Sequence, residues 1–305
     1  MAAPSEADTI AMLLGGPLRP DRDLQRPGDD AVAVPGGALV SVDTMVEGVH
    51  FDDRLSAADV GWKLVAVNAS DIGACGRMPR WALLSLSLPR GDGAWLTGFA
   101  RGLREALGAW SIDLRGGDTT RSPGPRVASL TIGSAATGPR VSRAGASVGD
   151  TLWVTGALGA AAAGFCHQTL LGLDHLRRPV PPVAFGAALG AAGLPSAMMD
   201  LSDGLAADLA RLCAASGVGA LVWPEALPAS PALPDVDAAE RLSLMTAFGE
   251  EYGLLFAAPG AAEAAIGGLA AAHGVAVSPV GRCIPAEEGV LFGDGAWPEA
   301  RFRHF

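Results

Sequence analysis

The stretch SAADVGWKLVAVNASDIGACG (56–76) and the segment WALLSLSLP (81–89) that follows it decide the fold class. Ser56 and Asp59 have the spacing of a capping box, with Asp in place of the usual Glu, which predicts a helix that begins at Ser56. The apolar residues after them have helical spacing, at Val60, Leu64, Val67 and Ile72. Apolar and polar residues then alternate over 81–89, as in a strand. A helix followed by a strand is the recurring unit of α/β proteins.

The same alternation of helices and strands extends in both directions from this stretch. In the first half it predicts helices at 5–14 and 95–110, with strands in AVAV (31–34), in ALVSVD (38–43) and at 127–138. In the second half it predicts helices at 159–171, 183–192, 204–215 and 261–272, with strands in DTLWVTG (150–156), SAMMDLS (196–202), GLLFAAP (253–259) and VSPVGRCI (277–284). The predicted fold class is α/β (α+β), with one domain at 1–138 and another at 139–305.

The charged residues exclude two classes of protein. The formal net charge is -10 and no stretch is densely basic, so nucleic acid is not expected as a partner. Lys63 is the only lysine and lacks a glycine loop before it, which excludes a P-loop of the GxxxxGK[ST] kind. Arginine is then expected to provide most of the cationic contacts to phosphate.

No membrane span, secretion signal or disulfide framework is expected. The segment MAAPSEADTIAMLL (1–14) has no basic region, and four prolines in the uncharged segment 179–199 disfavour a membrane-spanning helix. The four cysteines lie far apart and form no CxxC pair, at Cys75, Cys166, Cys213 and Cys283. We interpret them as reduced, mostly buried thiols of a cytoplasmic protein.

Acidic residues are grouped in six short segments, each beside an apolar strand or helix. These segments contribute Asp29 and Asp30, Asp43 and Glu47 with His50 nearby, Asp71, Asp118 in RGGDTTR (115–121), Asp200 and Asp203, and Glu250 and Glu251. We interpret the first four segments as turns. Taken alone, each acid is more commonly a cap of backbone N–H groups, and Asp203 fits that role well. Asp208 and Glu105 are interpreted as solvated helix residues, and His175 as structural.

The acids as a set point to metal chemistry. Several carboxylates gathered at one site would repel one another unless hard cations lay among them. Carboxylates with few histidines and no cysteine are the ligand set of Mg²⁺, which commonly accompanies phosphate. The glycine pair in RGGDTTR would let backbone N–H groups approach phosphate oxygens.

Seven segments, in this order, closely resemble those of the thiamine-monophosphate kinases, whose superfamily also includes aminoimidazole ribonucleotide synthetase. They are GDDAVAV (28–34), SVDTMVEGVHF (41–51), AVNASDIGACGRMPRWALLSLSLP (66–89), GGDTTR (116–121), SRAGASVGDTLWVTGALG (142–159), MDLSDGLAADL (199–209) and GEEYGLLF (249–256). VEGVHF and MDLSDGLAADL are more similar to the kinases than to their relatives.

The resemblance implies an ATP-dependent enzyme that phosphorylates thiamine monophosphate to thiamine diphosphate with several Mg²⁺ ions. It implies two α/β domains, a nucleotide in the cleft between them, and N-terminal sheet domains that pair in a homodimer. Two alternatives stay open. The chain could be a related ATP-using synthetase that activates a carbonyl oxygen, or a paralogue that binds nucleotide without turnover.

The matching positions assign a role to each residue. Mg²⁺ would be held by Asp30, Asp43, Asp71, Asp118, Asp200 and Asp203, with Ser41 and Val42 in the same turn as Asp43. The nucleotide would contact Gly117, Asp118, Arg143 and Ser202. The thiamine phosphate would face His50, Glu250 and Phe302. The predicted catalytic residues are Asp71, Asp118 and Asp203.

Four positions depart from the family's pattern. Val42 replaces a common Thr, so a hydroxyl is lost although the backbone carbonyl remains. In GEEYGLLF, Glu251 replaces Asp and Gly253 replaces Glu, and Phe302 replaces a common Tyr. The last three lie on or near the acceptor side, whereas the metal and ATP side is mostly intact.

The mechanism that the resemblance implies is in-line transfer of the γ-phosphoryl group to the acceptor phosphate. A phosphate monoester has a second pKa of about 6, so the acceptor is already a dianion at neutral pH and needs no strong general base. The difficulty is to bring two polyanions together, which Mg²⁺ ions would offset. No covalent phosphoenzyme is required.

Overall fold

The computed structural model describes residues 6–16, 20–89 and 93–293, which contain two β-sheets with helices packed on them. The first half contains α1 (Glu6–Leu14), β1 (Val32–Ala33), β2 (Leu39–Val46), α2 (Ala57–Ala74), β3 (Pro79–Leu88), α3 (Gly93–Ala109), β4 (Asp113–Arg121) and β5 (Val127–Ser134). The second half contains β6 (Thr151–Thr155), α4 (Ala160–His167), α5 (Leu170–Arg177), α6 (Val183–Ala192), β7 (Ala197–Asp200), α7 (Leu205–Ser216), β8 (Gly219–Val222), α8 (Ala238–Thr246), β9 (Leu254–Ala258), α9 (Glu263–His273), β10 (Val277–Ile284) and β11 (Val290–Phe292). These elements confirm the α/β fold class.

Each half has its own sheet. The first sheet has the strand order β1-β2-β5-β3-β4, in which only the β3–β4 pair is parallel. The second has the order β11-β8-β10-β6-β9-β7 and is antiparallel except for β11 against β8. The predicted boundary near residue 138 falls in the connection between β5 and β6, and it stays a prediction.

Helix α2 lies between the two halves. Its predicted capping box is confirmed, because the hydroxyl of Ser56 accepts from the backbone N–H of Asp59 while the carboxylate of Asp59 accepts from the N–H of Ser56. Fourteen of its residues are buried, since α2 packs on the first sheet and α3 and also on α6. A helix this apolar is stable only when neighbours cover more than one face.

The RGGDTTR segment is a strand, so its interpretation as a turn was wrong. It forms most of β4, at the edge of the first sheet. Gly116 and Gly117 both have a φ of 153°. A Cβ at Gly117 would lie 1.8 Å from the carbonyl oxygen of Leu84 on the paired strand. The glycines therefore allow β4 to lie close against β3 rather than to reverse the chain.

The segments around Asp43 and Asp71 are not turns either. Asp43 lies within β2, and Asp71 lies in the last part of α2. In both cases the strand or helix continues past the acid, so the carboxylates are held by regular backbone.

The predicted helix at 159–171 is two helices. The chain leaves α4 at Gln168, which has a φ of 52°, and α5 begins two residues later. The two helices pack closely at Gly164 and Gly172, where a Cβ on Gly164 would lie 2.3 Å from the carbonyl oxygen of Gly172. Strand β8, helix α8 and strand β11 were not predicted. Among the described residues, no helix is both long and apolar enough to cross a bilayer.

Candidate active site

A cavity of about 720 Å³ lies between the two halves of the chain. Its walls come from β2 and the turn after it, from α2, from the end of β7 and from the loop before β9. Of the predicted site residues, those lining it are Asp43, His50, Asp71, Asp200, Ser202, Asp203 and Glu250. Residues far apart in sequence, from both domains, therefore contribute to one site.

The N-terminal wall is formed where the inner face of β2 meets α2. The hydroxyl of Ser41 donates a 2.5 Å hydrogen bond to Oδ2 of Asp71. The backbone N–H of Asp43 donates to Oδ1 of Asn68, at 3.0 Å. Asn68 and Asp71 are three residues apart and share one helix face, so α2 presents both polar groups to β2.

Asp200 joins this wall from the C-terminal domain. It ends β7, is 2 % exposed, and accepts a 2.7 Å hydrogen bond from the hydroxyl of Ser70. Burial raises the pKa of Asp71 well above its usual value, and the carboxylates of Asp43, Asp200 and Asp30 raise it further. Burial and the nearby Asp30 likewise raise the pKa of Asp200. Asp43, Asp71 and Asp200 line one cavity and lie within electrostatic range of Asp30, and we call these four carboxylates the acid cluster.

Arg143 holds Asp30 of the acid cluster and one further acid, Asp29, beside it. Its guanidinium pairs with Asp30 and lies 3.5 Å from Oδ1 of Asp29. Asp29 also accepts a 2.5 Å hydrogen bond from the hydroxyl of Ser142. Burial and the neighbouring Asp30 raise the pKa of Asp29 to about 6. Within the described part of the chain, the buried Oδ2 of Asp30 has no hydrogen-bond partner.

Asp203 does not cap α7, contrary to the capping interpretation. The carboxylate of Asp208 takes that role, because its Oδ2 accepts from the backbone N–H groups of Asp203 and Gly204, each at 3.0 Å. Asp208 is fully buried, and burial raises its pKa to about 7, so the interpretation as a solvated residue was wrong. Arg211 pairs with both Asp203 and Asp208.

His50 and Glu250, which were predicted to face the acceptor, both line the cavity. Nδ1 of His50 accepts a 3.0 Å hydrogen bond from the backbone N–H of Val46. Glu250 pairs with Lys63 of α2, and the hydroxyl of Tyr252 lies 3.3 Å from its Oε1. Glu250 and Tyr252 have φ values of 70° and 51°, which are uncommon for residues other than glycine. Residues with such strained backbone conformations cluster at functional sites.

The substitutions at Glu251 and Gly253 do not change the cavity wall directly. The buried carboxylate of Glu251 accepts from the N–H groups of Gly159 and Ala161, at the start of α4. Burial raises its pKa to about 7. A Cβ at Gly253 would lie 2.9 Å from the carbonyl oxygen of Thr155. Glu251 and Gly253 therefore pack the loop that carries Glu250 against α4 and β6.

Three predicted residues lie away from the acid cluster within one chain. Val42 is on the outer face of the first sheet and is 59 % exposed, so its side chain points away from the cavity. Asp118 lies on the same outer face, in register with Thr44 across the sheet. The two residues are three strand spacings apart, which corresponds to about 14 Å. Gly117 lies beside Asp118 on β4. Phe302 lies outside the described residues.

Sequence reasoning did not assign Lys63, Arg54 or Arg211 to the site. Lys63 and Arg54 line the cavity, and Arg211 holds Asp203. The guanidinium of Arg54 lies 4.0 Å from the ring centre of Phe165, a further wall residue. A signal for Lys63 was available, since it is the only lysine and lies two turns before Asp71 on the same helix.

The arrangement can hold hard cations between two groups of carboxylates. Burial raises the pKa values of Asp30, Asp71 and Asp200, which favours either protonation or cation binding, because neighbouring carboxylates destabilise one another when all are ionised. The thiol of Cys75 lies beside Asp29 and Asp30, but burial and the nearby acids raise its pKa, which disfavours a thiolate ligand. The carboxylate oxygens that remain favour Mg²⁺ over softer metals.

Comparisons with known proteins agree with this geometry. Two family models match the chain: AIR synthase related protein, N-terminal domain, over residues 28–139, and its C-terminal domain over residues 147–294. The thiamine-monophosphate kinase of Salmonella typhimurium is 38% identical over 273 residues, covering 83% of this chain and 81% of its own length. That of Halobacterium salinarum is 34% identical over 288 residues, covering 92% and 96%.

Solved structures give the same result. The crystal structure of thiamine-monophosphate kinase from Stenotrophomonas maltophilia has a TM-score of 0.78 and 35% identity, and the match covers 86% of each chain. AaThiL complexed with AMPPCP and TMP has a TM-score of 0.82 and 28% identity, covering 98% of this chain and 95% of that one. The chain therefore belongs to the thiamine-monophosphate kinase family of the AIR synthase-related proteins.

Proposed function

We propose that this chain transfers the γ-phosphoryl group of ATP to the phosphate of thiamine monophosphate and releases ADP and thiamine diphosphate. The observation that carries the proposal is the convergence of Asp43, Asp71 and Asp200, with Asp30 nearby, at a cavity that His50 and Glu250 also line. A relative of the same fold binds AMPPCP and TMP, which supports a site for both substrates.

The acid cluster fits Mg²⁺. Oδ2 of Asp30 is a buried oxygen without a hydrogen-bond partner among the described residues, and the carboxylate of Asp29 and the thiol of Cys75 lie beside Asp30. Asp30, Asp43, Asp71 and Asp200 would hold the ions, with Asp203 joining them once Arg211 releases it. When bound, Mg²⁺ would neutralise the phosphate oxygens and shield donor and acceptor from each other.

The residues of the chain would then orient the two substrates for direct attack. An oxygen of the acceptor phosphate forms the new bond to the γ-phosphorus, while the bond from that phosphorus to the bridging oxygen of ADP breaks. The acceptor is a dianion at neutral pH, since its second pKa is about 6, so no side chain has to remove a proton. Arg143 would shift from Asp30 to the nucleotide phosphates as the metal takes its place.

We also propose that the first sheets of two chains pair through their outer faces in a homodimer. Val42 and Leu83 are 59% and 41% exposed on that face, and every residue of the edge strand β4 is exposed. An open sheet face and an unpaired edge are features that proteins usually cover. The role of Asp118 and Gly117 in nucleotide binding stays part of the proposal, since both lie on this strand. A cytoplasmic location is proposed from the buried thiols Cys75, Cys213 and Cys283.

An acceptor comparison tests the proposal. Purified protein is incubated with ATP and Mg²⁺ and either thiamine monophosphate, thiamine or aminoimidazole-type synthetase substrates. Formation of thiamine diphosphate from the monophosphate alone supports the proposal. Phosphate release that depends on a carbonyl acceptor would instead favour the synthetase alternative, and nucleotide binding without any product would favour the non-catalytic paralogue.

A further inference from the structure

The cavity wall contains one buried ammonium group whose position is not explained by folding alone. Lys63 is the only lysine of the chain, it is 2 % exposed, and it lines the cavity from α2. Removing an ammonium group from water costs several kcal/mol unless it is well paired. A leucine or methionine at this position would avoid that cost, so the charge itself calls for an explanation.

The partner of Lys63 comes from the other domain. Its Nζ donates to Oε2 of Glu250, which belongs to the loop before β9 and is 29 % exposed. Oε1 of Glu250 faces the hydroxyl of Tyr252. An ammonium group has three N–H donors, and within the described part of the chain only one of those of Lys63 has a partner. The remaining donors are available to a ligand in the cavity.

The cavity wall has more carboxylates than cationic side chains, so each cation matters for the binding of an anionic ligand. Among the described residues, the wall contains six carboxylates, at Asp43, Asp52, Asp71, Asp200, Asp203 and Glu250. The permanently cationic side chains of the same wall are Arg54 and Lys63. Arg54 is occupied by Asp52, with Nε 2.9 Å from Oδ1 and Nη2 2.6 Å from Oδ2. Lys63 is paired as well, with Glu250, so a phosphate that enters here meets mostly negative charge and the N–H donors that these two pairs leave over.

Lys63 also lies within the electrostatic range of the acid cluster. Lys63 and Asp71 lie two turns apart on α2, and both line the cavity. The ammonium group therefore lies beside the acid cluster, where it is paired with Glu250, the residue that the family resemblance assigns to the acceptor.

We infer that Lys63 binds the phosphate of the acceptor through its Nζ, and that Glu250 holds the ammonium group in place for it. This inference rests on the proposed function, because it assigns the phosphate to thiamine monophosphate. Lys63 then selects phosphorylated over unphosphorylated acceptors, and it draws a second anion towards a site already crowded with negative charge.

The test is a calorimetric titration of thiamine monophosphate and of thiamine into the full-length protein with Mg²⁺ and AMPPCP. In Lys63→Met, the affinity for thiamine monophosphate should fall roughly 10- to 150-fold, the range for losing a hydrogen bond to a charged group. The affinity for thiamine should change less than about threefold, since thiamine has no phosphate. Lys63→Arg should recover part of the lost affinity.

A double variant separates this role from a purely structural link between the domains. Lys63→Met/Glu250→Gln removes both charges, so no unpaired carboxylate remains. We expect it to prefer the monophosphate over thiamine as weakly as Lys63→Met does. The inference would be overturned if the double variant preferred the monophosphate by the wild-type ratio. It would also be overturned if Lys63→Met lost affinity for thiamine monophosphate and for thiamine by the same factor.

Arg178→Met is the matched control. Arg178 also links the domains, through Asp59 and Glu105, but it does not line the cavity. The Arg178→Met variant should prefer thiamine monophosphate over thiamine by the same factor as the wild type. If the wild type binds the monophosphate but forms no thiamine diphosphate, the proposed function fails, while the titration still decides the role of Lys63.

Discussion

The hydroxyl of Ser70 in α2 donates a 2.7 Å hydrogen bond to Oδ2 of Asp200 at the end of β7. Both residues are 2 % exposed, and they belong to different domains. Ser70 immediately precedes Asp71, so the bond fixes the carboxylate of the second domain beside the carboxylate of the first. The acid cluster therefore depends on the docking of the two domains as well as on the fold of each.

Asp71→Asn should abolish nearly all turnover while the protein stays folded. The carboxamide removes a ligand charge from the centre of the acid cluster, and we expect kcat to fall at least roughly 100-fold, which corresponds to about 3 kcal/mol. Because one of several mutually repelling acids is lost, the melting temperature without metal should not decrease. Asp235→Asn changes an exposed acid outside the cavity and serves as the control for activity. Wild-type turnover in Asp71→Asn would count against the metal assignment.

Stabilisation by Mg²⁺ should increase with pH. The pKa values of Asp71 and Asp200 are raised in the folded protein, and that of Asp29 is raised to about 6. The folded state therefore binds more protons than the unfolded state above pH 4, and its stability decreases as pH rises through the folded pKa values. Mg²⁺ has to displace those protons, so it binds better when they are gone.

Thermal melts with and without Mg²⁺ at pH 6 and pH 8 measure this effect. With one Mg²⁺ concentration at both pH values, set to 100 times the Kd at pH 8, the ion should stabilise the protein by about 2.7 kcal/mol at pH 8 and by less at pH 6. An increment that is equal at both pH values, or larger at pH 6, would show that the raised carboxylates do not bind the ion.

His50→Ala should raise the KM for the acceptor more than the KM for ATP. The backbone N–H of Val46 occupies Nδ1 of His50, which leaves the neutral ring with its proton on Nε2. Losing one hydrogen bond to the acceptor should raise its KM roughly 3- to 12-fold. His273→Ala, on the exposed surface of α9, provides the control. Equal increases in the two KM values would place His50 away from the acceptor.

Glu251→Gln should stabilise the protein at high pH. The folded pKa of Glu251 is about 7, above its ordinary value, because the carboxyl group is buried. Ionisation of Glu251 therefore lowers the free energy of unfolding, and this loss grows as pH rises from about 4.5 to 7. A glutamine keeps the oxygen that accepts from Gly159 and Ala161 and carries no charge.

The expected gain for Glu251→Gln is on the order of 3 kcal/mol at pH 8, and it falls to less than about 1 kcal/mol at pH 5. Urea unfolding at the two pH values measures it. A variant that is less stable than the wild type at pH 8 would mean that the ionised carboxylate is a favourable cap of α4.

Gly102→Ala should disrupt the contact between α2 and α3. A Cβ at this position would lie 1.8 Å from the carbonyl oxygen of Ala58, so the helices would have to separate. Overpacking of this kind costs about 1–3 kcal/mol or more. Gly108→Ala in the same helix has nothing within 4 Å, and we expect a gain of roughly 0.5 kcal/mol from better helix propensity. Similar unfolding energies for the two variants would contradict the close packing of α2 and α3.

Local sequence signals predicted most of the helices and strands. The capping box at Ser56 and the periodicity of α2 are such signals, because their causes lie within a few residues. β4 was missed because consecutive glycines normally indicate a turn, whereas here they permit close strand pairing. Asp208 was misassigned for a similar reason. Its helical position is typical of the surface, and only the fold of the preceding loop buries it.

The acidic residues of the site could be recognised as a set, but their partners could not. Lys63 and Glu250 are separated by 187 positions, and Ser70 and Asp200 by 130. Such pairs depend on how the domains dock, which no local pattern reports. The resemblance to a family supplied the convergence of the acids, and the structure added the side chains that hold them.

The most direct test of the proposed phosphoryl transfer measures whether the γ-phosphate of ATP appears in thiamine diphosphate. The protein is incubated with Mg²⁺, thiamine monophosphate and ATP labelled on its γ-phosphate, and thiamine diphosphate is separated by chromatography. We expect one labelled phosphate per thiamine diphosphate, no labelled protein, and no product without Mg²⁺. Unlabelled thiamine monophosphate with no thiamine diphosphate, from a protein that still binds ATP, would contradict the proposed transfer.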